Sequence, residues 1–412
     1  MKMSDLFKKL VTLAVCAVMI FSLSGGYVAK ADTEGTVRVY DIETLDKAIA
    51  SSDVSTIIFR TLAYIDVTIA ANDAAKGKKL VIDAENASFT NKAKFKSIEI
   101  QCAYAYTESV SGNEITIAGP IFKDNRIVVS AKKKVKKLTL YSEYGEFFKT
   151  WTLRKNAKIK SFEYIYANGT VLKSDFDKKN KKISINFTNP YDCKIAFTAL
   201  FDKNGRVLRI TSESDGAEFC YDYKYTYDNA GNITKVKGYE NESGGFVSTY
   251  KYVKNRLKKS VHDSFTHQVT QYSYNKKGLL TKEKFKSTDS IDGITFYVTS
   301  TVKNTYDKNG RKKTVEMTET TEYENEEYPT GTIASKTENT YDEKGFNTKV
   351  VRTQEYGGET KRYTYTYEYN AAGDMTRSAR TEWDSKTGKE TEYEPEEYTY
   401  DDLGEPVDWR KP

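Results

Sequence analysis

Tyr306-Asp307-Lys308-Asn309-Gly310 decides the fold, because it is one of seven copies of a single pattern. The others are Phe201-Asp202-Lys203-Asn204-Gly205, Tyr227-Asp228-Asn229-Ala230-Gly231, Tyr274-Asn275-Lys276-Lys277-Gly278, Tyr341 to Gly345, Tyr369 to Gly373 and Tyr400 to Gly404. In each, an aromatic residue stands four positions before a glycine. A degenerate copy, Tyr252 to Leu257, places Asn255 where the glycine would be. Asp or Asn starts a tight turn by bonding nearby backbone, and Gly or Asn takes the left-handed position. The flanks alternate as strands do: Tyr363, Tyr365, Tyr367 and Tyr369 share one face, with Arg362, Thr364, Thr366 and Glu368 on the other. Each unit therefore reads as strand, turn, strand. A lone hairpin cannot bury its own face, so neighbouring units must pair or stack.

Working outward, the composition agrees. The chain has 32 tyrosines and only 6 prolines, and Thr, Val, Ile and Phe recur in alternating runs. Aromatic and β-branched residues suit a pleated, half-buried surface, so the expected class is all-β. The array is assigned residues 195–412. The preceding region, 36–194, is read as β-helix-like or a β-sandwich. Ile42 to Ile49 has helical spacing and would cap the open end of a solenoid. Short strands follow at Thr56 to Phe59, Val67 to Ile69, Leu80 to Ile82, Ile98 to Ile100, Ile115 to Ile117 and Ile127 to Val129. Corners such as Asp83-Ala84-Glu85-Asn86 and Ser111-Gly112-Asn113 separate them.

Residues 1–31 read as an export signal: Lys2, Lys8 and Lys9, an apolar run from Leu10 to Leu23, then Ala29-Lys30-Ala31. Val15 and the apolar residues beyond Cys16 argue against a lipoprotein site. No second apolar stretch would span a membrane once the signal is cleaved. The final residues Trp409-Arg410-Lys411-Pro412 carry no sorting pattern, so covalent wall anchoring is not expected. Cleavage removes four lysines and Asp5, taking the formal charge from +6 to +3. That mixed surface argues against nucleic acid as a partner. Cys102, Cys193 and Cys220 remain, without metal-like spacing, and their pairing is open.

The Tyr-Asp-x-x-Gly units resemble the YD repeats of the RHS family of bacterial surface and secreted proteins, over roughly residues 195–412. Tyr306 to Arg311 and Tyr227 to Asn232 are the nearest matches. The resemblance implies an extracellular or cell-surface array of β-hairpins. Family members with a toxin role carry many more repeats, wrapped into a shell, and a core segment that releases a C-terminal toxin. Neither feature is visible here. The N-terminal half loosely resembles the pectin-lyase-like right-handed β-helix.

Candidate chemistry is sparse. His262 and His267 are the only histidines and read as surface loop residues of a variable insert. Asp83, Glu85 and Asp124 are the nominations for carboxylate chemistry of the kind that cleaves polysaccharide. The Asp202 to Gly205 and Asp307 to Gly310 turns lack the further oxygen ligands of a calcium loop. Lys132-Lys133-Lys134 with Lys136-Lys137 reads as a solvated strand edge. The strongest candidate surface is aromatic: Tyr363, Tyr365, Tyr367, Tyr369, Trp383 and Tyr393, suited to stacking on sugars or to protein recognition. We therefore expect an exported, non-enzymatic binding or adhesion protein for a glycan or protein ligand, with no cofactor, metal or catalytic residues. The alternatives are a polysaccharide-acting β-helix enzyme with accessory repeats and a truncated RHS-type shell of a toxin system.

Overall fold

The computed structural model describes residues 35–400, apart from 124–125, 143–149, 167–170, 177, 180, 189–193, 215–220, 241–243, 265, 292–293 and 326–329. The export segment, Asp124, Cys193, Cys220 and the last repeat beyond Tyr400 lie outside the described residues.

The first sheet has eleven strands. They are β1 (Thr36–Val39), β2 (Thr56–Arg60), β3 (Asp66–Ile69), β4 (Lys79–Asn91), β5 (Ser97–Glu108), β6 (Glu114–Ile117), β7 (Ile127–Val129), β8 (Lys134–Ser142), β9 (Trp151–Leu153), β10 (Lys158–Tyr166) and β11 (Val171–Asp175). From β2, parallel pairing runs through β4, β5, β6 and β8 to β10. A second parallel face joins β3, the far halves of β4 and β5, then β7 and β9. This is a coiled solenoid, which overturns the β-sandwich alternative. Antiparallel hairpins are what a sandwich needs, whereas the registers from β2 to β10 are parallel and only the final pair of this path, β10 with β11, is antiparallel among the described residues.

The interior explains why the solenoid forms. Ile57, Leu80, Ile98, Ile115, Leu138 and Phe162 stand in register as one buried ladder. Phe59, Ile82, Ile100, Ile117, Leu140 and Tyr164 form the next. Full burial of such a side chain stabilises by about 1.5–3 kcal/mol. On the second face, Asn91 and Glu108 interrupt an apolar ladder. The Glu108 carboxylate accepts from Asn91 (3.2 Å), Asn113 (3.1 Å), the Tyr106 hydroxyl (2.9 Å) and the Val110 amide (2.9 Å). Burial pushes its pKa up, against the pull of these donors.

Helix α1 (Ile42–Ala50) caps the first coil and buries Leu45, Ala48 and Ile49. Asp41 begins it by accepting from the Thr44 amide at 2.8 Å. The buried Lys78 ammonium ends it, donating to the carbonyls of Ser51 (2.6 Å) and Val54 (2.5 Å). Lys134, Lys136 and Lys137 lie on β8, which is interior to the sheet between β6 and β10. The edge reading of the lysine run is therefore corrected: Lys136 pairs with Glu114 and Lys137 with Glu163 across neighbouring strands.

The second sheet is a seventeen-stranded antiparallel meander from β12 (Lys182–Thr188) to β28 (Glu396–Glu397), in sequence order. The repeat motif builds its turns. The ladder slips by one residue immediately before each aromatic from Phe201 to Tyr369. Asp202 and Asp307 each take two backbone amides and then the guanidinium two residues past the second lysine-flanked Asn, Arg206 and Arg311. Those bonds occupy the carboxylates in turn chemistry. The degenerate copy turns on Lys254 and Asn255, both at positive φ (50° and 61°).

The repeat also has a reason to prefer tyrosine to phenylalanine. The hydroxyls of Tyr227, Tyr306, Tyr341, Tyr369 and Tyr400 donate to the carbonyls of Val207, Leu280, Lys312, Asn347 and Met375. Each acceptor lies two residues past the glycine of the preceding repeat, so these five units are stapled to the ones before them. The first unit has no earlier turn of the motif to reach, and its aromatic is Phe201. That ring packs instead against Trp151, Phe162 and Phe176. Tyr369→Phe keeps the ring that stacks on Phe346 at 4.8 Å but deletes the staple. We expect a loss of about 1 kcal/mol, measured as a lower urea midpoint with faster amide exchange in residues 347–375. An unchanged midpoint and exchange pattern would refute the staple.

The turns dock on the solenoid in reverse order. Near the last coils, Ile159 donates to Asn204 O (3.1 Å), the Trp151 indole to Gly205 O (2.9 Å) and Arg154 to the Asn232 amide oxygen (2.6 Å). Near the first coils, the Tyr64 amide donates to Gly345 O (2.9 Å) and Arg38 pairs with Asp374. Coils rise about 4.8 Å, whereas each hairpin advances two strands, about 9.6 Å. The intervening turns cannot all keep contact with the solenoid, and that of Gly278 packs on the Arg256 side chain of the preceding turn. The continuous core accordingly fills the solenoid and ends in the first hairpins, at Tyr225 and Ile233.

Candidate functional site

Strands β25 (Glu359–Tyr369) and β26 (Met375–Asp384) carry the candidate aromatic surface. Directly opposed residues share a face of a sheet. Tyr363 opposes Glu382, Tyr365 opposes Arg380 and Tyr367 opposes Ser378. Those three tyrosines therefore share a face with Arg380 and Glu382. Trp383 opposes Arg362, and that guanidinium sits 5.4 Å from the indole centre. Trp383 is thus on the other face of the sheet. The grouping of all six aromatics on one surface is corrected by the register, which the turn at Gly373 and the slip before Tyr369 set together.

Tyr393 joins the tyrosine face through Arg380. Its amide donates to Arg380 O at 3.0 Å, and the Arg380 guanidinium lies 4.4 Å from the Tyr393 ring centre and 5.1 Å from that of Tyr363. The Tyr393 hydroxyl and Arg380 both donate to Glu382 Oε2, at 2.8 and 2.9 Å. These contacts set the faces of two rings against one guanidinium. Tyr363, Tyr365 and Tyr367 are half-buried, and Tyr393 is 43% exposed. Tyr369 is committed to its staple and to Phe346, which leaves Tyr365 and Tyr367 as the rings at the middle of the face.

The solenoid looks onto this face. The Tyr64 ring meets Tyr341 edge-on at 5.2 Å. Burial raises the pKa of Tyr367 to about 12, with smaller contributions from Tyr365 and Tyr64. Burial likewise pushes Tyr306 to about 12, aided by Tyr104 of the solenoid. These phenols stay neutral throughout the physiological range and serve as hydroxyl donors and acceptors. The surface therefore offers flat rings, neutral hydroxyls, the Arg380 guanidinium and the Glu382 carboxylate, with the Lys361 ammonium 3.4 Å from both Glu382 and Asp384. Sequence alone did not mark Arg380, because its place across from Tyr365 depends on the one-residue slip before Tyr369. It did not mark Tyr64 and Tyr104 either, since only the docking of the two sheets brings them near.

The other nominated residues are placed elsewhere. Asp83 pairs with Arg60 at 3.0 Å. Burial and the neighbouring Asp83 raise the pKa of Glu85. Cys102 is a free thiol beside them, its pKa pushed up to about 12 chiefly by burial. His262 and His267 stand on paired strands, which corrects the loop reading: His262 packs on Phe246 and bonds the Ser248 hydroxyl at 2.8 Å, while His267 contacts Asp263. Among the described residues, no group of three or more His, Cys, Asp or Glu side chains is arranged to hold a metal ion.

Comparison with known proteins gives distant likenesses. No family model matches the chain, and no curated protein matches it. Among solved structures, a porin-like protein from Bacteroides uniformis is 14% identical, covering 52% of this chain and 94% of that one with a TM-score of 0.23. A porin-like protein from Bacteroides vulgatus is 10% identical over 48% of this chain and 91% of that one, also at 0.23. The TcdB2-TccC3-Cdc42 complex is 11% identical over 56% of this chain and 17% of that one, at 0.14. At such TM-scores the function has to be read from this chain's own residues. No helix among the described residues is long and apolar enough to cross a membrane.

Proposed function

We propose that the chain is an exported, non-enzymatic binding protein whose repeat sheet recognises a glycan or protein ligand through the tyrosine face of β25 and β26. The observation that carries this reading is the alignment of Tyr363, Tyr365 and Tyr367 on one face, flanked by Arg380, Glu382 and Tyr393. Aromatic faces bind sugar rings by stacking, and the neutral phenols and Glu382 supply hydrogen bonds to hydroxyls. Tyrosine also suits protein recognition, since a rigid amphipathic ring loses little entropy on binding. The export reading rests on residues 1–31.

The test is a glycan array together with a cell-wall pull-down, comparing the full chain with its Tyr365→Ala, Tyr367→Ala variant. Both substitutions lie away from the hydroxyl staples, so the array should remain folded. Binding by the parent that the variant loses is the expected result. Equal binding by both, or none by either, overturns the assignment of recognition to this face.

A further inference from the structure

The two ends of the repeat sheet carry opposite charge, and among the described residues neither end is covered by a further strand. We propose that copies of this chain associate head to tail, the first strand of one repeat sheet pairing with the last strand of the next. The partner is thus a second copy of this chain. The contact uses the edges of the sheet and does not rest on ligand recognition by the tyrosine face.

The leading edge is β12. It pairs with β13 (Lys194–Phe201), and among the described residues no strand pairs with its other side. Lys178, Lys179, Lys181 and Lys182 are exposed, and none is in an ion pair among the described residues. Against them stand Asp175 and Asp177, so residues 175–188 carry +2. The trailing edge is a single rung, because β27 (Lys389–Glu392) and β28 both pair with β26. Residues 389–397 are exposed throughout. Glu390, Glu392, Glu394, Glu396 and Glu397 against Lys389 leave this rung at −4. Among the described residues the hydroxyls of Ser378 and Tyr398 reach Glu396, and no cation pairs with any of the five.

Strand direction and sheet face both suit this contact. The strands from β12 to β26 are fifteen, and the trailing rung is the sixteenth, so it runs opposite to β12. A second copy carried along the sheet presents its β12 antiparallel to that rung, which continues the meander. Lys182 opposes Leu200, on the face away from buried Ile183. Following opposed residues from strand to strand puts Lys182 on the same face as Trp383. Glu390 opposes Trp383, and Glu392 shares its face by alternation. The added copy therefore brings Lys182 to the side on which Glu390 and Glu392 stand, and opposite charges across a strand pair are favourable. Two leading edges, or two trailing edges, repel. A contact between unlike ends is heterologous and propagates without closing. Pro395 lacks an amide donor, so the ladder is confined to the four residues of β27 and depends on charge for its strength.

The experiment is sedimentation velocity of the full chain over a wide range of concentration, at low and at high salt. The parent should form a series of oligomers that grows with concentration and disperses as salt is added. One variant reverses the trailing edge: Glu390→Lys, Glu392→Lys, Glu394→Lys. The other reverses the leading edge: Lys179→Glu, Lys181→Glu, Lys182→Glu. All six side chains are exposed, and either set gives both ends of the sheet the same sign. Each variant alone should associate about tenfold or more weakly than the parent. An equimolar mixture of the two should restore association, because each reversed edge then meets its complement, a result that misfolded variants cannot give. A parent that is monomeric at every concentration, or a closed dimer that stops growing, overturns the proposal. So does association unchanged in either variant, or a mixture that stays dispersed. A monomeric parent that binds a lysine-rich peptide would give the trailing edge a foreign partner and overturn the assignment to a second copy.

Discussion

Arg38→Met is expected to cost about 3–5 kcal/mol of stability, because it strands a buried carboxylate. Arg38 stands on β1 and Asp374 follows the glycine of the sixth repeat, and their side chains are only 6% and 7% exposed. Arg38 Nη1 donates to Asp374 Oδ2 at 2.8 Å, Nη2 pairs with Oδ1, and Nη2 also reaches Ala372 O at 3.4 Å. Asn370 completes the cage: its Nδ2 donates to Asp374 Oδ2 and its Oδ1 accepts the Asp374 amide, both at 2.9 Å. Methionine fills similar volume but leaves Asp374 without its countercharge. Replacing both partners by apolar residues should recover much of the loss, since the penalty comes from the orphaned charge.

The same pair fixes the direction of a pH effect. Burial raises the pKa of Asp374, but hydrogen bonds from Arg38 and Asn370 and the charge of Arg38 outweigh it and hold the group below its ordinary 3.8. A carboxylate depressed in the folded state stabilises fully above its unfolded pKa. That contribution is lost as pH falls through the folded value. The parent should therefore lose this stability only below about pH 4. In Arg38→Met, burial acts unopposed by the guanidinium, so the deficit relative to the parent should shrink as the solution is acidified. Urea midpoints at neutral pH and near pH 3 check this. A deficit under about 1 kcal/mol at neutral pH would mean the pair behaves as an exposed one.

The parts of this fold that were legible are those whose cause is local. Asp307 bonds the amides two and four residues ahead, and the glycine between turns left-handed, so the five residues from Asp307 to Arg311 contain the explanation of a turn. The strands of the solenoid were legible for the same reason, from Ile57 to Val129. Their assembly was less so. Matched ladder positions fall at Ile57, Leu80, Ile98, Ile115, Leu138 and Phe162, so successive coils differ in length and leave no fixed period. What the sequence conceals is long-range. Nothing near Gly345 announces that its carbonyl accepts the Tyr64 amide, or near Asp374 that its partner is Arg38. The candidate surface shows the same division. Alternation put Tyr363, Tyr365 and Tyr367 together, while the side chosen by Trp383 depended on a one-residue slip at Tyr369.

The docking of turns on the solenoid predicts that two equivalent glycines will respond differently to the same substitution. Gly231 and Gly310 occupy the same motif position with φ of +88° and +87°, so alanine incurs the same left-handed penalty at both, about 1–2 kcal/mol. Their surroundings differ. A Cβ at Gly310 would meet nothing closer than the Leu279 side chain at 3.6 Å, an ordinary contact. At Gly231 it would lie 1.7 Å from the Leu153 carbonyl oxygen, which belongs to the solenoid backbone and cannot rotate away. Gly310→Ala should therefore cost only the conformational term. Gly231→Ala must in addition push the second turn off the last coils, where Arg154 bonds Asn232 and the core runs on into Ile233. A loss of at least about 3 kcal/mol is expected there, beyond backbone strain alone. Thermal and urea unfolding of the two variants, with amide exchange at residues 153–157 and 228–233, separates the terms. If both alanines cost the same, the second turn does not rest on the solenoid.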